Sequence, residues 1–390
     1  MGMKPRFLLK LLPILLVALT AAAQLAPSHC LVYVGTYTDG SSKGIYAYDF
    51  DLVSGKASPL GLAAESANPS FLAASPTDKF LYAVNEVNTF KDSSGATKHT
   101  GAVSAYEIDR KTGKLKLLNQ LSSEGAGPAY ISIDKSGKYA LVANYDGGSV
   151  AVFPIAADGK LEAASSFVQH KGSSVNKERQ EAPHAHAIEV TADNRFALAA
   201  DLGLDKLLVY RFDAAHGKLT PNAAPFGRVA PGAGPRHLAF HPAGKYVFVT
   251  NEMASTVTSF AWDATDGMLR EVQTVSTLPK GYKGENDTAE IMVHPNGRVL
   301  YVSNRGRNSI ATFSINPELG TLMLVDDTPT GGKIPRNFNL DPTAKWLFAA
   351  NQDSGDIFIF RIDAKTGRLT PTGETLKVDK PVAILFVRAE

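Results

Sequence analysis

The chain has 390 residues, 44% hydrophobic and 20% charged, with a formal net charge of +2 and a single cysteine. That balance excludes a disordered chain and a collagen-like repeat. The absence of any basic block argues against nucleic acid as a partner, and one cysteine excludes an internal disulfide.

The first 23 residues read as a secretory signal peptide. Lys4, Arg6 and Lys10 form a basic head, residues 11–23 are apolar, and Ala21-Ala22-Ala23 offers small residues for cleavage before Gln24. The apolar run falls short of the roughly 20 residues of a membrane span, so an uncleaved anchor is the weaker reading. Residues 24–390 are then one mature domain, periplasmic or secreted, with no membrane span left after cleavage. Losing the three cations takes the net charge from +2 to about −1. Cys30 follows Pro27-Ser28-His29, a bulky residue where lipidation sites carry a small one. With no disulfide, stability rests on core burial, for which the chain is long enough.

The mature chain opens on LVYVGT (31–36), half of a phrase that then recurs whole. Its full copies are FLAASPTDKFLYAVN (71–85), ISIDKSGKYALVAN (131–144), IEVTADNRFALAAD (188–201), LAFHPAGKYVFVTN (238–251), IMVHPNGRVLYVSN (291–304) and FNLDPTAKWLFAAN (338–351). Each is a short apolar strand, a polar turn, and a second strand ending in a small polar residue. A third alternating strand follows, such as SVAVFPI (149–155) or DIFIFRI (356–362). Next come a Gly turn, at Gly55, Gly113, Gly159, Gly217, Gly267, Gly320 and Gly367, and a more polar fourth strand. Four strands at a period near 50 residues predict propeller blades, and the Gly turns predict seven of them. The fold class is therefore all-β, a seven-bladed propeller. Blade one lacks its inner strand, which PVAILFV (381–387) supplies, so the ring closes without a seam.

Starts of inner strands and ends of second strands share one mouth of the central channel. The starts are Ala129-Tyr130, His186-Ala187, Arg236-His237, Ala289-Glu290 and Arg336-Asn337. The ends are Asn85-Glu86, Asn144-Tyr145, Asp201-Leu202, Asn251-Glu252, Asn304-Arg305 and Asn351-Gln352. Ionisable groups gathered there are costly to bury unpaired, and convergent ionisable groups at a concave mouth mark a site. His184 and His186 lie two apart and share a face if extended, but no further ligand has matching spacing, so no metal is expected. His241 and His294 belong to turns at the opposite face. The polar insertions 89–100 and 169–181 are lids over the mouth or plain loops. Nucleophile elbow, phosphate loop and dinucleotide fingerprint are all absent, and no cofactor is called for.

PHAHAI (183–188), GPRHLAFHPAGK (234–245), HPNGRVLYVSNRGRNSIATF (294–313) and FNLDPTAKWLFAANQDSGDI (338–357) resemble the seven-bladed propeller lactonase family. That family includes a bacterial 6-phosphogluconolactonase and the fungal 3-carboxy-cis,cis-muconate lactonising enzyme. The resemblance spans residues 31–387. Its muconate branch uses a histidine, an arginine, a glutamate and a second arginine at one channel mouth. These match His186, Arg236, Glu252 and Arg305, with His184 and Arg307 as alternatives for the first and last. The expected activity is lactonase, hydrolysis of a sugar lactone, phosphorylated or not; the export signal speaks against a phosphorylated substrate.

In that chemistry Glu252, with a pKa between bulk carboxylates and neutrality, is the general base. Arg236 holds the oxyanion, His186 protonates the leaving alkoxide, and Arg305 orients an anionic group. His184, His237, Glu290, Arg336, Asn337 and Gln352 are the candidate substrate-binding residues. Two rivals remain: a muconate-type lactonising cycloisomerase, and a non-catalytic exported propeller that binds a ligand or protein.

Overall fold

Six-residue second strands such as Tyr139–Asn144, Phe196–Asp201 and Trp346–Asn351 are buried along their whole length. Uninterrupted burial suits strands covered on both faces, and here the covering layers are the neighbouring blades. The computed structural model describes residues 1–3, 28–92 and 94–389; the expected leader and its cleavage site lie almost wholly outside them. The described residues form seven four-stranded antiparallel sheets and one two-stranded hairpin. Their only helix is a three-residue 3₁₀ turn, Leu202–Leu204. Among the described residues no helix is long and apolar enough to cross a membrane.

The ring closes as expected. The strand Pro381–Arg388 lies innermost in blade one and pairs antiparallel with His29–Thr36, from Cys30 opposite Arg388 to Val34 opposite Ile384. Cys30 is 1% exposed inside this sheet, and burial raises its thiol pKa far above the ordinary value.

Core side chains fill the spaces between blades. One such space joins Phe50 of blade one edge-on to Trp346 and Phe348 of blade seven. The Gly turns lock these layers together. Gly159 of blade three has φ +85° and packs on the Phe80 ring of blade two; Gly55 of blade one, φ +76°, packs on the Trp346 ring of blade seven. A Cβ at either position would strike the ring while forcing a left-handed backbone that only glycine adopts freely. At the opposite face, His241 bonds the Gly297 carbonyl at 2.8 Å and His294 the Ala344 carbonyl at 3.1 Å, tying each turn to the next blade.

The inner strands carry the detail that matters for chemistry. Those of blades three to seven begin with a register shift, between Pro128 and Tyr130, Ala185 and Ala187, Pro235 and Leu238, Thr288 and Ile291, and Pro335 and Asn337. An unpaired extra residue at such a bulge is free to re-aim its side chain. Those residues include Ala129, His186, Arg236, Ala289 and Arg336.

Candidate active site

The bulges and the second-strand ends meet around a cavity of about 230 Å³. Its wall is formed by Glu86, Ala129, Tyr145, Arg179, His186, Glu252, Asp287, Arg305 and Arg336. At four second-strand ends Asn85, Asn144, Asn251 and Asn304 are buried, and the residue after each, Glu86, Tyr145, Glu252 and Arg305, turns to the cavity. Asn85, Asn144, Asn304 and Asn351 each clasp a carbonyl of the segment leading from the preceding outer strand. This fixes the following Glu86, Tyr145 and Arg305, while Gln352 stays off the wall and donates to Asp353 at 3.1 Å.

Glu252 is the electrostatic centre. It is 4% exposed. Oε1 accepts from Arg179 at 2.7 Å, while Oε2 lies 3.0 Å from Arg236 Nε and 2.9 Å from Arg305 Nη2. The last two contacts are Coulombic rather than aligned hydrogen bonds, since Arg236 Nε has no hydrogen-bond partner among the described residues and Arg305 Nη2 donates instead to the Thr288 carbonyl at 3.0 Å. Burial would raise the Glu252 pKa, but Arg305, Arg236 and Arg179 outweigh it and hold it down at about 2. The expected pKa between bulk carboxylates and neutrality is not found at Glu252: three guanidiniums gathered on it hold it low and weaken it as a base.

His186 is 4% exposed, its Nδ1 is buried without a hydrogen-bond partner among the described residues, and its ring stands edge-on to Tyr145 and to His237. Burial, Arg236, His237 and Arg336 push its pKa well below 6.5. It is neutral at neutral pH, and so lacks the extra proton that the expected donor role calls for.

Arg236 lies behind the wall, 2% exposed, with Nη1 3.2 Å from His237 Nε2. Burial, Arg305 and Arg336 bring its pKa down to about 9, so it stays charged at neutral pH. The guanidiniums that face the cavity are instead those of Arg305, Arg336 and Arg179. Arg336 makes no hydrogen bond or ion pair among the described residues and sits 5.4 Å from the centre of the Tyr37 ring. The Tyr37 hydroxyl donates to both Glu86 oxygens, at 3.1 and 3.0 Å. Arg307, the alternative to Arg305, turns away to Asp327 at 2.8 Å.

Three expected substrate contacts sit one layer deeper. Each follows a wall position or its equivalent by one residue, and the bulge there turns it away from the wall. His237 Nδ1 donates to Glu290 Oε1 at 3.1 Å and Asn337 to Glu290 Oε2 at 2.6 Å. Burial lowers the His237 pKa to about 4, so this is a hydrogen bond from a neutral ring. Glu290 and Asn337 line a second cavity of about 470 Å³, whose wall also includes Glu189 and Lys135. His237, Glu290 and Asn337 thus form a partition in the channel rather than a substrate wall. His184 stacks on Tyr145 at 4.6 Å and bonds Glu181 at 3.2 Å, outside the cavity wall.

The insertion 169–181 supplies Arg179 and is pinned at its base. Gln180, fully buried, donates to the Leu202 carbonyl at 2.8 Å, and Ser174 donates to Asp205 at 2.6 Å. His170 is held by Asp201 at 2.5 Å and by the Tyr210 hydroxyl at 2.9 Å. Arg179, Asp287, Glu86 and Tyr145 are wall residues outside the expected set. Tyr145 and Glu86 were legible from the strand-end pattern; Arg179 and Asp287 lie outside the repeat's equivalent positions.

Comparison with known proteins agrees with this architecture. Residues 31–386 match the family model described as lactonase, 7-bladed beta-propeller. A 6-phosphogluconolactonase of Bacillus subtilis is 38% identical over 91% of this chain and 97% of its own. A periplasmic gluconolactonase of Pseudomonas aeruginosa superposes with TM-score 0.85 at 34% identity, over 93% of this chain and 100% of that one. A candidate 6-phosphogluconolactonase of Bacteroides fragilis does so with TM-score 0.84 at 41% identity, over 92% and 98%.

Proposed function

Because this chain belongs to the seven-bladed β-propeller lactonase family, we propose that it hydrolyses a small sugar lactone in the cavity between Glu252, Arg305 and Arg336. What supports this is one small wall on which guanidiniums and a carboxylate, Asp287, with no side-chain partner among the described residues face the same space. A cavity of about 230 Å³ suits a single-ring substrate; drug-sized sites run to roughly 300–1,000 Å³.

Hydrolysis needs positive charge where the ring carbonyl becomes an oxyanion. Arg305 and Arg336 supply it from the wall, and such donors are worth roughly 3 to 4 kcal/mol each. Glu252 fixes Arg305 and Arg179 without quenching Arg336. Neutral His186 hydrogen-bonds the substrate, and Arg236 holds Glu252 from behind. Export to the periplasm is part of the proposal, supported by the leader-like residues 1–23 and by the periplasmic relative.

The test is pH-stat hydrolysis of glucono-δ-lactone and 6-phosphogluconolactone by the mature protein, with lactonisation of a cis,cis-muconate followed in parallel by absorbance. Lactone turnover well above the spontaneous rate is expected, reduced 10²-fold or more in Arg336→Ala. Turnover of the muconate alone would transfer the site to lactonising chemistry; no turnover at all would favour a binding propeller.

A further inference from the structure

Water attacking a lactone must lose a proton, and the wall holds three carboxylates for the task. Two are engaged. Glu252 is surrounded by Arg179, Arg236 and Arg305, and both oxygens of Glu86 accept from Tyr37. The third, Asp287, opens the inner strand Asp287–Val293 of blade six, directly opposite Arg305 in the pairing register. It is half-buried, lines the cavity, and makes no hydrogen bond or ion pair through its side chain among the described residues. We propose that Asp287 is the general base of the hydrolysis, the group that activates the attacking water. This rests on the lactonase reading of the same cavity.

The step balances as follows in protons and bonds. Asp287 takes one proton from water as the oxygen bonds to the ring carbonyl carbon. The oxyanion so formed faces Arg305 and Arg336. Collapse breaks the ring C–O bond, and the leaving alkoxide takes its proton back from the Asp287 carboxylic acid. The product is the open hydroxy acid, which ionises in water.

The surroundings favour this assignment. Burial and the nearby Glu252 charge raise the Asp287 pKa, opposed by Arg305, Arg179 and Arg236. A raised pKa makes a stronger base, whereas the arginines leave Glu252 weak. Glu86, Tyr145, neutral His186 and Arg336 complete the ring of titratable and charged groups around it.

The experiment compares Asp287→Asn, Asp287→Ala and Asp287→Glu with the wild type by steady-state hydrolysis from pH 4 to 8. Asp287→Asn is expected to lose 10²- to 10⁴-fold in kcat, with KM changed less than about threefold, and to lose the acidic limb of the kcat profile. Asp287→Glu restores part of the rate. Added formate partly rescues Asp287→Ala, which no structural role would allow. Wild-type kcat in Asp287→Asn, or a rate loss that neither glutamate nor formate repairs, overturns the proposal alone. No hydrolysis by the wild type overturns the lactonase reading and the proposal together.

Discussion

Glu252 gathers Arg179, Arg236 and Arg305 around one carboxylate, and that shapes both stability and titration. Removing it leaves buried cations facing one another, so Glu252→Ala is expected to cost about 3–5 kcal/mol in urea unfolding. An unchanged urea midpoint would mean the arginines find other partners. The pH dependence has a definite sign. Native Glu252 titrates near 2 against an ordinary 4.5, and native His186 well below 6.5. In both windows the unfolded chain binds the extra proton, so stability falls as pH drops, first below 6.5 through His186 and then below 4.5 through Glu252. Melting temperatures at pH 7 and pH 5 check the first step: His186→Gln should lose less between them than the wild type. An equal loss in both proteins would place a charged imidazole at 186. The four family-matched residues were legible because they fall on repeat-equivalent positions. Their protonation was not, because it depends on how many arginines share one carboxylate, which no spacing reveals.

At the scale of elements, two local devices build the wall. Bulges at the inner-strand starts re-aim His186, Arg236 and Arg336, and the clasping asparagines fix the second-strand ends. A two-residue start position was readable in the sequence, yet not which residue of each pair faces up. The bulge decides that, and it sends His237, Glu290 and Asn337 down into the partition. The insertion 169–181 escaped the repeat altogether; its anchors Gln180 and His170 make it a fixed rim that presents Arg179. The insertion 89–100 forms a small hairpin, Phe90–Lys91 against Thr97–Lys98, off the wall. His170→Ala leaves Oδ2 of the buried Asp201 without its partner, while Oδ1 keeps the His184 and Leu204 backbone N–H groups. It should cost about 1–3 kcal/mol and raise KM several-fold as Arg179 loses its footing. Unaltered KM with a lowered melting temperature would separate the anchor from the site.

Across the whole molecule, blade count, Gly turns and the split first blade were all readable, because a propeller repeats one phrase and each copy corrects the others. The same repetition spreads the wall over six blades, from Glu86 in the second to Arg336 in the seventh. No blade carries the site alone. A chain ending at Lys380 keeps every wall residue but loses the strand Pro381–Arg388. It should lose cooperative melting and lactone turnover together, and wild-type turnover from it would show that the open ring holds the wall.

That last strand also sets an order of events during synthesis. The first sheet to leave the ribosome is the last to be finished, and its inner edge waits for the final eight-residue strand. Until then the nascent chain is an arc with two sticky ends. A chain lacking that strand would leave the inner edge of the first sheet unpaired, a raw β-edge open to pairing with another chain.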